Sequence, residues 1–265
     1  MITPNKNIPT IILCGGMGTR LKEETEFKPK PMVEIGGRPI LWHIMKIYAH
    51  YGYRDFILAL GHKGDYIKDY FLKQKYYEAD FLLNTGGEKD ISILKNGALE
   101  KENFNIIFAE TGLETFAGER VSLLKNYIKS DLFMVTYGDG VADIDINKLI
   151  EFHKEKGKIA TITGVHPISR WGLVKIDNND LIIQFDQKPL LYDYVNGGFM
   201  IFRKEFFDFL KPGDMLEDAL KRLISQKQVA LYKHEGFWYG MDTYRDYLFL
   251  NKLWEEDPKW KIWDN

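Results

Sequence analysis

Apolar runs and amphipathic segments alternate along the first part of the chain. Short runs rich in β-branched residues, such as PTIILC and DFILALG, are typical of buried strands. Longer segments lie between them, and one of these, PILWHIMKIYAHYG, begins with Pro39 and closes on Gly52, as helices commonly do. This alternation predicts an α/β fold with a Rossmann-like, doubly wound, mostly parallel sheet.

The spacing of the predicted strands changes after residue 165. GLVKI, LIIQF and GGFMIF follow each other closely, with no full helix between them. This pattern predicts a smaller, mixed β substrate subregion beside the main sheet. No repeat or long linker separates the two parts, so we predict one domain over residues 1–265, with parts at about 8–165 and 166–265.

The composition is that of an ordinary globular protein, with 45% apolar and 28% charged residues. The net charge of −2 argues against a surface-wide contact with nucleic acid, so we expect no nucleic-acid partner. The single cysteine excludes an internal disulfide and fits a reducing compartment. MITPNKNIP lacks the apolar core of a signal peptide and no apolar run approaches a membrane span, which predicts a cytoplasmic protein without a membrane partner.

Glycine and polar residues recur where the predicted strands end, in CGG, LGH, AETG and YGDG. In open α/β sheets, ligands bind beside the carboxyl ends of the strands. Four glycine-bearing loops at that edge indicate an extended ligand, such as a nucleotide.

The loop after the first strand, CGGMGTRLKEETEFKPKP, combines glycines with cations. It is not a P-loop, because no Lys-Ser or Lys-Thr follows Gly18, and it is not a dinucleotide fingerprint, because Leu21 replaces the third glycine. A glycine-rich connection with solvated charges is the alternative interpretation. Arg20, Lys28 and Lys30 favour a phosphate site lined by backbone N–H groups, and the prolines beside Lys30 restrict the backbone that carries this cation.

Asp139 stands between two glycines directly after a predicted buried strand. This position favours a Mg²⁺ ligand, since Mg²⁺ typically takes one or two protein carboxylates, although a turn aspartate is the alternative. Asp242, in GFWYGMDTYRD, is the candidate for a second carboxylate, unless it only caps the helix that follows. Asp143 and Asp145 are better suited to turn and helix-cap positions.

Lys188 precedes a proline in DQKP, and Asn196 and Gly197 open a later strand. A lone lysine is usually a solvated charge. A cation here is also suited to a second phosphate, and an Asn beside bare glycine backbone is suited to sugar hydroxyls. The six histidines show no metal-ligand spacing, and no nucleophile–base arrangement is apparent.

Taken in order, GGMGTRL, KPKPMVEIGGRPILWHIMKIY, YGDGVADIDI, NGGF and GFWYGMDTYRD resemble the sugar-1-phosphate nucleotidyltransferases, from about residue 8 to the C-terminus. Three motifs point to the branch of the family that uses CTP: KPKPMVEIGG, TYGDGVAD, and GFW followed by MDT. The resemblance implies an enzyme that transfers a cytidylyl group from CTP to α-D-glucose 1-phosphate, giving CDP-glucose and pyrophosphate, with Mg²⁺ as cofactor. Such enzymes supply activated sugars for surface polysaccharides, and we expect a homo-oligomer.

The resemblance also implies roles for individual residues. Arg20 and Lys30 would be catalytic, and Asp139 and Asp242 would hold Mg²⁺. The nucleotide-binding residues would be Leu13, Gly15, Gly16, Gly18, Thr19, Arg20, Lys30 and Gly112. The sugar-phosphate-binding residues would be Gln187, Lys188, Asn196 and Gly197. Residues 8–165 would then be the nucleotide-binding part, and residues 166–265 the sugar-phosphate-binding part with the C-terminal helix.

Three positions depart from the family pattern. Gln187 stands where the family commonly has Glu, FAGER differs from the expected TGGR, and Cys14 replaces the more usual Ala. The first departure leaves the sugar open, and the second leaves the base-side contacts open. The alternatives are another sugar 1-phosphate, UTP or dTTP as the nucleotide, a non-catalytic regulatory relative that binds nucleotide-sugars, and a dinucleotide-binding oxidoreductase, which the missing third glycine argues against.

Overall fold

The computed structural model describes residues 6–16, 21–77, 79–86, 90–95, 103–169 and 171–263. Its strands are β1 (Thr10–Leu13), β2 (Glu34–Ile35), β3 (Arg38–Pro39), β4 (Asp55–Leu60), β5 (Asp80–Asn84), β6 (Asp90–Lys95), β7 (Asn105–Glu110), β8 (Leu132–Tyr137), β9 (Gly140–Ala142), β10 (Ala160–Val165), β11 (Leu173–Ile176), β12 (Ile182–Asp186), β13 (Val195–Asn196), β14 (Met200–Arg203), β15 (Val229–Lys233) and β16 (Trp238–Gly240). Its α-helices are α1 (Lys22–Thr25), α2 (Ile40–His50), α3 (Gly64–Tyr77), α4 (Ala117–Leu123), α5 (Ile146–Lys156), α6 (Leu216–Ser225) and α7 (Tyr244–Glu256).

The main sheet is mixed but mostly parallel. β7, β4, β1 and β8 lie side by side and run in the same direction. β14 pairs antiparallel with both β8 and β10, so β10 runs parallel to β8, and β15 then pairs parallel with β10. The short β13 pairs antiparallel with β10 beyond the end of β14. The fold class predicted from the alternating pattern is confirmed.

Two apolar cores lie on opposite faces of this sheet, as a doubly wound fold requires. Successive residues of a strand point to opposite faces, and Ile11 and Ile12 of β1 accordingly belong to different clusters. The cluster around Ile12 includes apolar residues of α2, α5 and α7, together with Trp260. The cluster around Ile11 includes apolar residues of α4 and α6. Burial on both faces explains why the strands read as continuous apolar runs.

The register of the parallel strands aligns their carboxyl ends. Leu13 of β1 pairs with Ala59 of β4 and with Tyr137 of β8, and Leu60 of β4 pairs with Glu110 of β7. The loops that follow these four strands therefore leave the sheet at one edge, as the glycine pattern predicts.

The later part of the chain contains a small antiparallel hairpin of β11 and β12 outside the main sheet. The strand predicted from GGFMIF begins at Met200, because Gly198 has a left-handed backbone with φ of +78°. The pairs β5–β6 and β9–β16 are not evident in the sequence pattern. In the described ranges, every helix is too short or too polar to span a bilayer.

Candidate active site

Asp139 and Asp242 lie side by side because two short strands pair antiparallel. Gly140 of β9 is opposite Gly240 of β16, so the residues that flank these strands are neighbours in space. The backbone N–H of Met241 donates a 2.8 Å hydrogen bond to the carbonyl of Asp139, which extends the pairing to the two carboxylates. The two predicted metal ligands are therefore brought together.

Lys30 reaches the same place from the loop after β1. A 3₁₀ turn at Lys30–Met32 is anchored by Pro31 and Met32, which are buried. Gly138, at the end of β8, allows the turn to approach, since a Cβ there would lie 2.9 Å from Cγ of Pro31 and 2.9 Å from the carbonyl oxygen of Leu13. The prolines beside Lys30 thus restrict its backbone as predicted, and one of them packs against the strand end that carries Asp139.

The Lys30 ammonium bridges the two carboxylates. Its Nζ donates to Oδ2 of Asp139 at 2.6 Å and to Oδ1 of Asp242 at 2.8 Å. The Lys30 side chain is only 12% exposed, and burial alone would lower its pKa. The charges and hydrogen bonds of Asp139 and Asp242 outweigh that effect and hold the pKa of Lys30 above its usual value. The cluster therefore carries one positive and two negative charges.

The capping interpretation of Asp242 is wrong. Thr243 is the N-cap of α7, and its hydroxyl accepts a hydrogen bond from the backbone N–H of Asp246, whose carboxylate in turn accepts from the N–H of Thr243. This reciprocal capping box leaves the Asp242 carboxylate to face Lys30. The helix-cap prediction for Asp145 is confirmed, because its carboxylate accepts from the backbone N–H of Lys148 at the start of α5.

A cleft of about 350 Å³ opens beside this cluster. Among the residues predicted to bind the nucleotide, Leu13, Gly15, Gly16 and Lys30 line it. The other lining residues come from the loop after β7, the start of α4, the end of β8 and the segment before α6: Leu113, Glu114, Thr115, Phe116, Ala117, Arg120, Tyr137, Gly138, Asp139 and Met215, together with Cys14 and Pro31. Burial, with the nearby Asp139 charge, raises the pKa of the Cys14 thiol, so Cys14 behaves as a small apolar residue, as expected.

Arg120 is the residue of this cleft that sequence reasoning missed. The residue is 4% exposed, and its guanidinium donates to the carbonyls of Gly15, Leu60, Gly112 and Leu113, and to Oγ1 of Thr111, at 2.5 to 3.2 Å. Burial lowers the pKa of Arg120, but a guanidinium stays charged at neutral pH. FAGER gave no spacing signal for this role, since a lone Arg in a helix is usually solvated.

Arg120 also explains two of the glycines at the ligand edge. A Cβ on Gly15 would lie 2.3 Å from Cζ of Arg120, and a Cβ on Gly61 would lie 2.8 Å from its Nη1. Gly112 accepts from Arg120 through its carbonyl and has a φ of +91°. The buried arginine thus ties the ends of β1, β4 and β7 into one wall of the cleft.

The residues predicted for the sugar phosphate are only partly near the cleft. Asn196 donates through Nδ2 to the hydroxyl of Tyr137, a cleft residue, at 3.3 Å, and the carbonyl of Gly197 accepts from Nε1 of Trp238 at 2.8 Å. Gln187 and Lys188 are exposed at the end of β12 and do not line the cleft. Gly18, Thr19 and Arg20 lie outside the described residues.

The carboxylates of Asp139 and Asp242 fit a hard divalent cation that also binds phosphate oxygens. Within the described ranges, no cluster of three or more His, Cys, Asp and Glu side chains is placed to hold a metal by protein atoms alone. Asp139 and Asp242 supply two carboxylates that already share one cationic group, the ammonium of Lys30. Mg²⁺ typically uses one or two carboxylates and fills its other positions with water and phosphate oxygens.

Similarity to known proteins agrees with this arrangement. The family model described as nucleotidyl transferase matches residues 9–256. A probable glucose-1-phosphate cytidylyltransferase of Bacillus subtilis (strain 168) is 41% identical over 257 residues, which are 96% of this chain and 99% of the relative. The glucose-1-phosphate cytidylyltransferase of Salmonella typhi is 39% identical over 259 residues, with the same coverage.

A solved structure shares the fold at lower sequence similarity. HddC from Yersinia pseudotuberculosis aligns with a TM-score of 0.67 and 24% identity, over 93% of this chain and 99% of that chain. This likeness concerns the fold alone, whereas the family model and the two relatives cover nearly all of the sequence. The chain therefore belongs to the nucleotidyl transferase family, among the sugar-1-phosphate nucleotidyltransferases.

Proposed function

We propose that this protein transfers a cytidylyl group from CTP to α-D-glucose 1-phosphate, giving CDP-glucose and pyrophosphate. The observation that carries the proposal is the 39–41% identity to glucose-1-phosphate cytidylyltransferases over 96% of the chain. The cluster of Lys30, Asp139 and Asp242 at the ligand edge supplies the charged groups that the reaction needs.

The proposed reaction does not require a strong general base. A phosphate oxygen of the sugar 1-phosphate is already anionic, and it forms a bond to the α-phosphorus of CTP. The bond from that phosphorus to the oxygen bridging to the β-phosphate breaks, and pyrophosphate leaves with the electron pair. Catalysis then depends on bringing anions together and stabilising charge, which agrees with a site that contains a partly buried cation and two carboxylates.

In this proposal, Lys30 and the two carboxylates have different roles in catalysis. Asp139 and Asp242 would hold Mg²⁺, which supplies Lewis-acid stabilisation of charge on the phosphates when bound. Lys30 would turn its ammonium towards the attacked phosphate once the carboxylates have another cation to neutralise. Its backbone turn is fixed by Pro31, so only the flexible side chain has to move.

The nucleotide would occupy the cleft beside Arg120. Leu13, Gly15 and Gly16 line it, and Gly112 belongs to the wall that Arg120 organises. Gly18, Thr19 and Arg20 follow Gly16 closely in the sequence and remain the predicted phosphate ligands, with Arg20 as the second catalytic cation. Arg120 carries a charge at the cleft wall where its partners are neutral oxygens, which suits a polyanionic ligand.

The sugar phosphate would lie towards β13. Asn196 and Gly197 would contact sugar hydroxyls, and Lys188 would reach the phosphate from the end of β12, with Gln187 beside it. Residues 166–265 would thereby form the sugar-phosphate-binding part of the single domain, and residues 8–165 the nucleotide-binding part. Gln187 is the observation that favours the second candidate, the same transfer to another sugar 1-phosphate, because the family commonly has Glu at this position.

We also propose a homo-oligomer in the cytoplasm. The hairpin of β11 and β12 is apolar yet exposed, with Ile182, Ile183 and Phe185 each more than 60% accessible. A two-stranded hairpin has little stability of its own, so contact with a second copy would cover these side chains. The single, buried Cys14 is compatible with a reducing compartment.

The decisive experiment is a substrate panel. CTP, UTP and dTTP are each combined with glucose, galactose, mannose and N-acetylglucosamine 1-phosphates, and pyrophosphate release is measured with and without Mg²⁺. CTP with glucose 1-phosphate should be the best pair. A better UTP or dTTP reaction would overturn the nucleotide assignment, and nucleotide-sugar binding without any turnover would indicate the regulatory alternative.

The metal assignment is tested with Asp139→Asn. Its turnover should fall by roughly a hundredfold or more, because a charged ligand is lost while the shape is kept. Asp208→Asn is the matched control, since Asp208 is exposed and pairs with Lys125 away from the cleft. A folded Asp139→Asn protein with normal turnover would exclude the assignment.

A further inference from the structure

Three polar side chains form a hydrogen-bonded chain, and the middle one, Tyr137, lines the cleft. The Nδ2 group of Asn196 donates to the Tyr137 hydroxyl at 3.3 Å, and that hydroxyl donates to Oε1 of Glu217 at 3.2 Å. Oδ1 of Asn196 accepts from the backbone N–H of Gly198 at 3.1 Å, which fixes the orientation of the amide. Glu217 was not recognised as a candidate from the sequence.

The three residues lie next to the predicted chemistry. Tyr137 lines the cleft and is two residues before Asp139. Glu217 is in the first turn of α6, and Met215, two residues earlier, also lines the cleft. The Glu217 carboxylate is therefore held beside Tyr137, a residue that lines the cleft.

The existing hydrogen bonds determine which polar atoms of these three residues can bind a ligand. A tyrosine hydroxyl has one proton, and that of Tyr137 points to Glu217. The amide of Asn196 donates to the Tyr137 hydroxyl and to Sδ of Met200, at 3.3 and 3.8 Å. Glu217 is exposed and has a second carboxylate oxygen, for which the described part of the chain provides no hydrogen-bond donor. These three side chains thus leave one charged acceptor, the second carboxylate oxygen of Glu217, for a ligand.

We propose that Glu217 is a specificity-determining residue that accepts a hydrogen bond from a hydroxyl of the sugar 1-phosphate. This inference rests on the proposed function and deepens it. Sugar hydroxyls donate well to carboxylates, and a charged acceptor forms hydrogen bonds about twice as strong as a neutral one. Gln187 cannot supply such an acceptor, and Glu217 supplies it from the opposite end of the Asn196–Tyr137 chain. The ligand class is a hexose 1-phosphate with a free hydroxyl facing α6.

The first test compares Glu217→Gln with Glu255→Gln. Glu255 is exposed on α7, away from the cleft, and serves as the matched control. Glu217→Gln should raise the KM for glucose 1-phosphate roughly tenfold, which is the usual scale for weakening one charge-assisted hydrogen bond. The KM for CTP should change less than about twofold, and Glu255→Gln should change neither.

The second test separates direct contact from support of Tyr137. The natural protein and Glu217→Gln are assayed with 2-, 3-, 4- and 6-deoxyglucose 1-phosphates. If Glu217 contacts one hydroxyl, the natural protein disfavours the analogue that lacks it, and Glu217→Gln loses that one discrimination. If Glu217 only orients Tyr137, all analogues weaken equally and Tyr137→Phe reproduces the effect, which would overturn the proposal.

Other outcomes are equally decisive. A rise in the KM for CTP without one for the sugar phosphate would place Glu217 at the nucleotide and overturn the inference. No turnover of glucose 1-phosphate by the natural protein would instead overturn the proposed function. The same variants are then compared on the sugar phosphate that the substrate panel identifies, and a selective loss of hydroxyl discrimination there would still support the role of Glu217.

Discussion

Lys30 and Asp139 are 109 positions apart in the chain, and their side chains meet with 2.6 Å between Nζ and Oδ2. Asp242 completes the contact from the other side at 2.8 Å. A lysine ammonium therefore lies between the two carboxylates that are predicted to hold Mg²⁺. A divalent cation held by Asp139 and Asp242 would compete with Lys30 for these carboxylates, and its binding would free Lys30 to face the nucleotide phosphates.

Removing the Lys30 charge should strengthen metal binding while it weakens catalysis. Lys30→Met keeps an apolar stem but removes the ammonium between the two carboxylates, whose repulsion a divalent cation relieves. We expect the affinity for Mn²⁺ without nucleotide, measured by titration calorimetry, to rise roughly tenfold, and kcat to fall by at least about a hundredfold.

Lys154→Met is the control for this change, since Lys154 is exposed on α5. It should leave both quantities unchanged. If Lys30→Met bound Mn²⁺ no more tightly than the natural protein, Lys30 would not be a competitor for the metal, whatever happened to kcat.

The sequence pattern predicts the fold well because the sheet is buried on both faces. Apolar runs such as those of β1, β4 and β8 are unmistakable when helices cover both sides. The β5–β6 hairpin is different, since it lies outside the main sheet and residues 80–84 are exposed although Phe81, Leu82 and Leu83 are apolar. The spacing of apolar residues within one segment does not predict that two exposed strands pair with each other.

The candidate site shows the same limit at the level of side chains. Asp139 and Lys30 are identifiable from their glycine and proline neighbours, which are local signals. Their meeting with Asp242 depends on the pairing of β9 with β16, two three-residue strands separated by almost a hundred positions. Arg120 gives no local signal, because its importance comes from carbonyls contributed by three other strand ends.

The two glycines at the start of the loop should respond differently to alanine. A Cβ on Gly15 would lie 2.3 Å from the buried Arg120 guanidinium, whereas a Cβ on Gly16 has no atom of the described structure within 4 Å. Gly15→Ala should displace Arg120 and lower the free energy of unfolding by about 2 kcal/mol or more, the scale for overpacking a rigid site.

Thermal unfolding measures this difference directly. Gly16→Ala should unfold within about 1 °C of the natural protein, because a surface change without new contacts costs little. Equal melting temperatures for Gly15→Ala and the natural protein would show that Arg120 does not pack rigidly against the loop.

The buried His43 should make the protein less stable in mild acid. Nδ1 of His43 accepts from Nε1 of Trp260 at 3.3 Å, so the proton on Nε2 is directed to the carbonyl of Ile35 at 2.9 Å. Protonation would place a hydrogen on Nδ1 and break the bond from Trp260. Burial, with the charge of Arg38, lowers the pKa of His43 to about 4.

The pH range follows from this shift. An unfolded histidine titrates near pH 6.5, so between about pH 6.5 and 4 the unfolded state binds more protons, and stability is lost as the pH falls. The loss from His43 should be on the order of 1 kcal/mol at pH 5.5. Denaturant unfolding at pH 7.5 and 5.5 should show a smaller difference for His43→Gln and an unchanged one for His50→Gln, an exposed histidine on the same helix. An identical pH dependence for His43→Gln would mean that His43 is not the titrating group.

The left-handed backbone of Lys188 provides the final test of the sugar-phosphate side. Lys188 and Lys227 are both exposed, with φ of +52° and +56°, a conformation that costs a non-glycine residue roughly 1 kcal/mol. Glycine at either position should therefore raise the melting temperature by a few degrees at most.

Because Lys188 is predicted to bind the sugar phosphate, Lys188→Gly should also raise the KM for glucose 1-phosphate about tenfold or more while changing that for CTP little. Lys227→Gly, just after α6, should alter neither KM. If both variants were stabilised and both kept the natural KM for the sugar phosphate, Lys188 would be a strained surface residue without a role in binding, and the proposed phosphate contact would have to come from another cation.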